Sequence, residues 1–383
     1  MRSFSVLVVL VAAFTPGTVT AQSPRDKEVA ALIAKYQSEM DAFLKAPNRD
    51  LAKSPRRLYP KKFLSFAQLK NDDASLKACE FIILKFYLDH SRYTATELAL
   101  KQHRKKRMFP QFVGNLVYKY DDDPRVDAYL SNLAKSTDPI PKSVALYQQA
   151  RLIIDRRDWL QDEPERYDDI LPDSLIRDLQ SDGSKKRAKQ LLAQVIELAP
   201  NVKYLHDSDR PLVAFATQDL FVLEQLQCGD KIPPVSGKDS ENRRFSISDY
   251  QGKIVVVTFW AGWCGGCMRD LPHEVEFVES MTGRPFVWLG VNGDKDLDSL
   301  KKLELKHKVN FRSWHDGENG PIARQFGVRG WPAMWVIDHE GVIRYRSGAS
   351  VDLKLAKPAI EKLVTDLERH NKAVNRSAQS RGN

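Results

Sequence analysis

The chain has 383 residues and a mass of 43.7 kDa, enough for two or three domains, because one hydrophobic core usually stops growing at a shorter length. An apolar fraction of 42 % and a mean hydropathy of -0.44 exclude a wholly disordered chain and a polytopic membrane protein. The formal net charge is +9, but residues 228–346 hold 17 basic and 16 acidic side chains, so the excess lies outside that segment.

The first residues have the pattern of a secretory signal peptide. Arg2 precedes an apolar run from Val6 to Phe14, and Val19 and Ala21 occupy the positions of a cleavage site. The run is much shorter than the roughly 20 apolar residues of a transmembrane helix, which makes an uncleaved anchor the alternative. The sequence therefore predicts a signal peptide over residues 1–21, cleavage near Ala21, and a mature chain outside the cytoplasm, periplasmic or secreted, with no integral membrane segment.

Residues 22–227 are predicted to form a helical domain of unknown role. Apolar residues recur there at a spacing near 3.6, and strand-like alternation is almost absent. A tetratricopeptide-type repeat stays open, because only one copy of such a pattern is found. Basic runs at 103–107 and 184–189 are interpreted as solvated helix faces, so no nucleic-acid partner is predicted. The predicted helices cover 26–45, 75–102, 141–155, 185–200 and 210–226.

Beyond residue 228, strands alternate with helices. This order predicts an α/β sandwich with a mixed sheet over 228–372, so the whole chain is an α+β multidomain protein. Residues 373–383 have little apolar content and are predicted to be a disordered tail. The predicted strands are 253–260, 285–292, 311–314, 333–338 and 342–347, and the predicted helices are 265–281, 296–308, 321–326 and 353–372.

The segment FWAGWCGGCMRDLP carries the central chemical signal, a pair of cysteines where a strand meets a helix. Cys264 would lie where free backbone N–H groups and the positive helix end stabilise a thiolate, which makes it the attacking sulfur. Cys267 lies three residues further on the same helix face and is close enough to close a disulfide. This arrangement indicates dithiol redox chemistry.

Residues 228–350, about a third of the chain, resemble the thioredoxin fold, and within it the extracytoplasmic TlpA/ResA-like branch related to the AhpC/TSA redoxins. An Ala-x-Trp-Cys-x-x-Cys elbow follows a strand that ends in Phe-Trp, and a proline and an Ile-Asp-x-x-Gly hairpin lie some seventy residues beyond it. The helical region lies outside the resemblance. The matching residues are Phe259, Trp260, Ala261, Trp263, Cys264, Cys267, Pro332, Ile337, Asp338 and Gly341.

The resemblance implies a thiol-disulfide oxidoreductase that exchanges disulfides with client proteins and a further redox donor or acceptor, without a cofactor or metal. It implies a cis Pro332 facing the cysteines. Trp263 and Trp331 are expected near the substrate, although Trp331 replaces the small or β-branched residue that the family usually has before this proline. Asp270 takes the place of an acid that receives the proton of Cys267; the alternative is an ordinary first-turn acid that stabilises the helix dipole. The chain departs from the family in its Gly-Gly dipeptide between the cysteines.

The sequence leaves three alternatives to this function. A redoxin-type peroxidase requires a Pro-x-x-x-Thr-x-x-Cys loop, and the corresponding positions before Cys264 are valine and alanine. The second alternative is a scaffold with a vestigial dithiol. The third alternative is a copper or zinc carrier that uses the two cysteines and one of His273, His307, His315 or His339.

The other two cysteines lie outside this motif. Cys79 is expected to be a packed apolar residue, and a bond between Cys79 and Cys228 stays open.

Overall fold

A computed structural model describes residues 23–47, 49–86, 89–162, 170–198, 201–204, 210–318, 320–347 and 353–381. The predicted signal peptide and its cleavage site lie outside these residues. The chain divides into a helical unit that ends at Thr217 and a second unit that begins at Gln218. No helix in the described part of the chain combines the length and apolar character needed to cross a bilayer.

The helical unit is built from amphipathic helices around an aromatic and aliphatic core. Tyr36 of the first helix meets Tyr59, Phe81 and Phe86 edge-on, with ring centroids 5.3–5.5 Å apart. The helices are α1 Pro24–Lys45, α2 Pro55–Gln68, α3 Asp73–Lys85, α4 Ser91–Gln102, α5 Phe109–Lys119, α6 Pro124–Leu133, α7 Pro139–Asp162, α8 Asp173–Gln180, α9 Asp182–Leu198 and α10 Leu212–Gln225.

Two details of the helical unit refine the sequence prediction. The helix predicted over 75–102 is two helices: α3 ends at Lys85 and α4 begins at Ser91, whose backbone N–H donates to the carboxylate of Asp89 at 2.8 Å. Cys79 is a free thiol, fully buried in α3, and burial raises its pKa to about 12. This thiol is therefore a packed apolar group and not a nucleophile.

The second unit contains a five-stranded mixed sheet in the order β5-β4-β3-β6-β7. The strands β3, β4 and β5 are parallel, and β6 and β7 run antiparallel to their neighbours. The elements are β1 Ser236–Lys238, β2 Arg244–Ser246, β3 Ile254–Trp260, α11 Gly265–Ser280, β4 Phe286–Asn292, α12 Leu297–His307, β5 Arg312–His315, α13 Pro321–Gln325, β6 Ala333–Ile337, β7 Ile343–Ser347 and α14 Leu353–Arg381.

The central strand β3 is buried along its whole length and divides the core in two. Val256 and Trp260 pack with Leu271 of α11 and Ile360 of α14 on one face. On the other face, Val257 joins a core formed with the β1–β2 hairpin and α13. Because side chains alternate along a strand, Thr258 belongs to the face that α11 covers. Cys264 and Cys267 belong to the core on this same face.

The ends of the second unit differ from the predicted boundaries. Leu226, at the end of α10, is fully buried in the sheet core, so residues before the predicted boundary at 228 contribute to this unit. The tail predicted to be disordered from residue 373 is wrong for 373–381, because α14 continues to Arg381. Residues 373–381 contain no Gly or Pro, the residues that most strongly interrupt a helix, whereas Gly382 comes directly after them.

Candidate active site

The site lies where β3 ends and α11 begins. A disulfide joins Cys264 and Cys267, whose Cα atoms are 5.2 Å apart. Cys264 is the N-cap of α11, and its sulfur accepts the backbone N–H of Cys267 at 3.1 Å. A thiolate at this position would receive the same N–H and the positive end of a 16-residue helix dipole. In the disulfide form Cys264 is 5 % exposed and Cys267 is 3 % exposed, so a client has narrow access to either sulfur.

Pro332 lies against the dipeptide between the cysteines. The Trp331-Pro332 peptide bond is cis, as the resemblance implied. A Cβ on Gly266 would lie 3.2 Å from the Cδ of Pro332, so the proline ring packs on the first turn of α11. Gly266, the second of the two glycines between the cysteines, is thus a position of close approach, where a larger side chain would push against the proline.

Two tryptophans form a rim beside the disulfide. The rings of Trp263 and Trp331 meet edge-on with centroids 5.4 Å apart, and Trp263 is 46 % exposed. The indole N–H of Trp263 donates to the carbonyl of Gly293 at 3.3 Å. A Cβ on Gly293 would lie 2.7 Å from the Trp331 ring, so the Trp331 ring can pack against residue 293 only because that residue has no side chain. The rim presents an exposed aromatic surface next to the reactive bond.

A buried carboxylate supports the elbow from the neighbouring strand. Asp294, after β4, is 7 % exposed and accepts the backbone N–H of Gly262 with both oxygens, at 2.9 and 3.1 Å. The amide of Asn292 donates to the same carboxylate at 2.8 Å. Gly262 lies two residues before Cys264, so these hydrogen bonds fix the backbone that enters the helix.

Two carboxyl groups lie along α11 beyond the cysteines. Asp270, the predicted acid, is partly exposed and forms an ion pair with Arg269 at 3.3 Å. Glu274 is 4 % exposed, and its carboxyl accepts the hydroxyl of Thr258 at 3.2 Å. Burial, together with the nearby charge of Asp270, raises the pKa of Glu274 to about 8. Glu274 is therefore largely protonated at neutral pH, and its carboxyl can release or take up a proton at a pH close to neutral.

Within the described residues, no group of three or more His, Cys, Asp or Glu side chains is arranged to hold a metal ion.

The second unit of the chain resembles known proteins. The AhpC/TSA family model matches residues 228–346. The chain is 23 % identical over 120 residues to the thiol-disulfide oxidoreductase ResA of Bacillus thuringiensis subsp. konkukian, which covers 31 % of this chain and 69 % of ResA. It is 29 % identical over 126 residues to the thiol:disulfide interchange protein DsbE of Pseudomonas aeruginosa, covering 33 % and 67 % of the two chains.

The chain contains a thioredoxin-fold, redoxin-like oxidoreductase domain. Solved structures similar to it include the thioredoxin domain of a thiol-disulfide oxidoreductase from Bacteroides vulgatus, with 22 % identity and a TM-score of 0.33, covering 37 % of this chain and 99 % of that one. A thiol:disulfide interchange protein from Chlorobium tepidum has 21 % identity and a TM-score of 0.32, with 35 % and 95 % covered.

The redoxin domain places five of the six predicted site residues in one region: the cysteines, Pro332 and the two tryptophans. Asp270 lies one helical turn beyond Cys267, as its sequence spacing required. Sequence reasoning missed Glu274 and Asp294. For Glu274 a signal was present, because it lies seven residues after Cys267, two turns along the buried face of α11 that also holds Leu271.

Proposed function

We propose that the protein is an extracytoplasmic thiol-disulfide oxidoreductase that exchanges disulfides with client proteins through Cys264 and Cys267. The observation that carries the proposal is the disulfide at the N-terminus of α11, with the N–H of Cys267 directed at the sulfur of Cys264. The names of ResA and DsbE support the reaction class. Export rests on the signal-peptide pattern of residues 1–21 alone.

The proposed reaction has two exchange steps. In the reduced protein, the Cys264 thiolate attacks a client disulfide; a mixed disulfide forms and one client thiolate leaves. The Cys267 thiol then loses its proton and attacks the Cys264 sulfur, which breaks the mixed disulfide and releases the second client thiolate. The client is reduced by two electrons and the Cys264–Cys267 pair is oxidised by two. The reverse sequence oxidises a client, and a second dithiol or disulfide partner restores the starting state.

Two carboxyl groups are proposed as partners for the Cys267 proton. Asp270 is one helical turn from Cys267, and its partial exposure connects it to solvent. Glu274 is two turns away on the same buried face of α11, and its carboxyl accepts the hydroxyl of Thr258 on the neighbouring strand β3. The pKa of Glu274, about 8, lies close to the pH at which the Cys267 thiol would transfer its proton.

Trp263 and Trp331 are proposed to contact the client. Their rings meet edge-on, Trp263 directly precedes Cys264, and the backbone beside Pro332 is proposed to pair with an extended client segment. Aromatic surfaces of this kind bind apolar and aromatic side chains of many sequences. The proposed clients are therefore extended or unfolded polypeptides with accessible cysteines.

A trapping experiment tests the reaction. In Cys267→Ser, the second step is blocked, so incubation with an oxidised test protein such as insulin is expected to accumulate a covalent adduct through Cys264, detected by mass spectrometry. Cys264→Ser is expected to form none, and Cys228→Ser, which changes an exposed cysteine outside the pair, is expected to retain full exchange activity. Absence of the adduct in Cys267→Ser, or an equal adduct in Cys264→Ser, would overturn the proposal.

A further inference from the structure

One short part of the helical unit, which we call the basic corner, carries a high positive charge. It comprises residues 44–47 and 49–62, which include the end of α1 and the first two turns of α2. These residues include seven Lys or Arg and a single acid, Asp50, a net of +6 against +9 for the whole chain.

The basic corner also exposes large apolar side chains. Leu44 is 52 % exposed, Leu51 is 70 % exposed and Leu58 is 48 % exposed. On α2, Leu58 lies between Arg57 and Lys61 on the outward side, while Tyr59 and Phe63 on the opposite side are fully buried in the core. Exposed leucines interleaved with cations are the composition of a surface that meets both apolar and anionic groups.

One ion pair within the described structure neutralises a cation of the corner. Asp50 pairs with Lys53 at 3.6 Å, and Lys62 lies over the Tyr59 ring. Arg57 and Lys61 are exposed, and neither side chain has a hydrogen bond or ion pair with any described residue. Their charge is therefore available to an external partner.

A second basic run provides the contrast. Residues 184–189 on α9 include Arg187, which forms a bidentate pair with Asp178. No large apolar side chain is exposed within that run. Its charges therefore have the features of an ordinary solvated helix face, and the basic corner does not.

We infer that the basic corner docks the protein on an anionic phospholipid surface. Each Lys or Arg close to such a surface contributes favourably by attraction to the headgroups, and the exposed leucines enter the boundary between headgroups and acyl chains. A nucleic acid would be attracted by the same cations but would gain nothing from Leu51 and Leu58. The mode is peripheral attachment by the helical unit and requires no membrane-spanning helix.

Vesicle sedimentation tests the inference with the full-length mature protein. The protein is expected to bind vesicles of phosphatidylcholine mixed with phosphatidylglycerol and to stay in solution with phosphatidylcholine alone. A charge variant, Arg49→Gln with Arg57→Gln and Lys61→Gln, is expected to lower the partition coefficient by about 100-fold, because each cation contributes on the order of fivefold. An apolar variant, Leu51→Ser with Leu58→Ser, is expected to lower it by about tenfold or more.

Matched controls separate the corner from general electrostatics. Lys101→Gln with Lys105→Gln and Lys186→Gln removes three exposed cations elsewhere in the helical unit, and binding is expected to change less than about threefold. Disulfide exchange by all variants is expected to equal that of the wild type, so this test is independent of the proposed reaction. Equal binding to neutral vesicles, equal loss in the control, or binding to a DNA duplex without binding to vesicles would overturn the inference.

Discussion

Glu274→Gln is expected to make the protein more stable than the wild type at alkaline pH. The pKa of Glu274 is about 8 in the folded state against 4.5 for an unperturbed group, so between these values the folded protein binds a proton that the unfolded chain has released. The contribution is therefore greatest below about pH 4.5 and is lost as the pH rises through about 8, at about 1.4 kcal/mol per pH unit. Glutamine keeps an oxygen for the Thr258 hydroxyl and does not ionise, which removes this loss.

Urea unfolding of the oxidised protein at about pH 5 and about pH 9 measures the effect. The wild type is expected to lose several kcal/mol more than the variant across this interval. Glu276→Gln, an exposed position on the same helix, is the control and is expected to follow the wild type. If Glu274→Gln and the wild type changed in parallel, Glu274 would be ionised at neutral pH and its proposed proton role would fail.

The same variant separates the two proposed proton partners. Resolution of the mixed disulfide requires the Cys267 proton to leave, and a positioned acid or base typically changes such a rate by about 100-fold or more. The rate of this step, measured by stopped flow, is expected to be lower than in the wild type near neutral pH in both Glu274→Gln and Asp270→Asn. An unchanged pH profile in one variant would remove that residue from the mechanism.

Asp294→Ala is expected to destabilise the protein by about 2–3 kcal/mol and to slow disulfide exchange. The substitution leaves the N–H of Gly262 and the amide of Asn292 without their buried acceptor, and hydrogen bonds to a charged group contribute most when desolvated. Because Gly262 precedes Cys264 by two residues, the elbow loses the bond that fixes its backbone. Urea unfolding and the rate of insulin reduction are the two measurements.

The control for this effect is Asp294→Asn, which retains one oxygen directed at Gly262. It is expected to recover more than half of the lost stability and most of the exchange rate. Asp298→Ala removes an exposed acid from the start of α12 and is expected to change neither measurement appreciably. Wild-type exchange rates in Asp294→Ala would show that the elbow is held by other contacts.

Local sequence patterns predicted most of the redoxin domain. The buried run of β3, the helix after the cysteines and the hairpin of β6 and β7 each depend on residues close in sequence, so periodicity and turn residues were sufficient. The cis Pro332 required the family resemblance, because an isolated X-Pro bond favours trans. Prediction was good where the determining contacts are local or belong to a known motif.

The residues that sequence reasoning missed depend on contacts between distant segments. Thr258 meets Glu274 across 16 positions, and Gly262 meets Asp294 across 32. Only the packing of α11 on the sheet turns Glu274 from a surface acid into a buried one, and only the adjacency of β3 and β4 brings Asp294 to the elbow. The division into α3 and α4 was missed because apolar spacing continues through it, while the hydrogen bond of Asp89 to the N–H of Ser91 depends on a single side chain.

The acidity of Cys264 tests the account most directly. In reduced Cys228→Ser/Cys267→Ser protein, Cys264 is the accessible thiol, because Cys79 is buried with a pKa of about 12. The alkylation rate of Cys264 is expected to reach half its maximum at least about one pH unit below the 8.5 of a free cysteine, since the helix end and the N–H of Cys267 stabilise its thiolate. A midpoint at about 8.5 or above would contradict the assignment of Cys264 as the attacking sulfur.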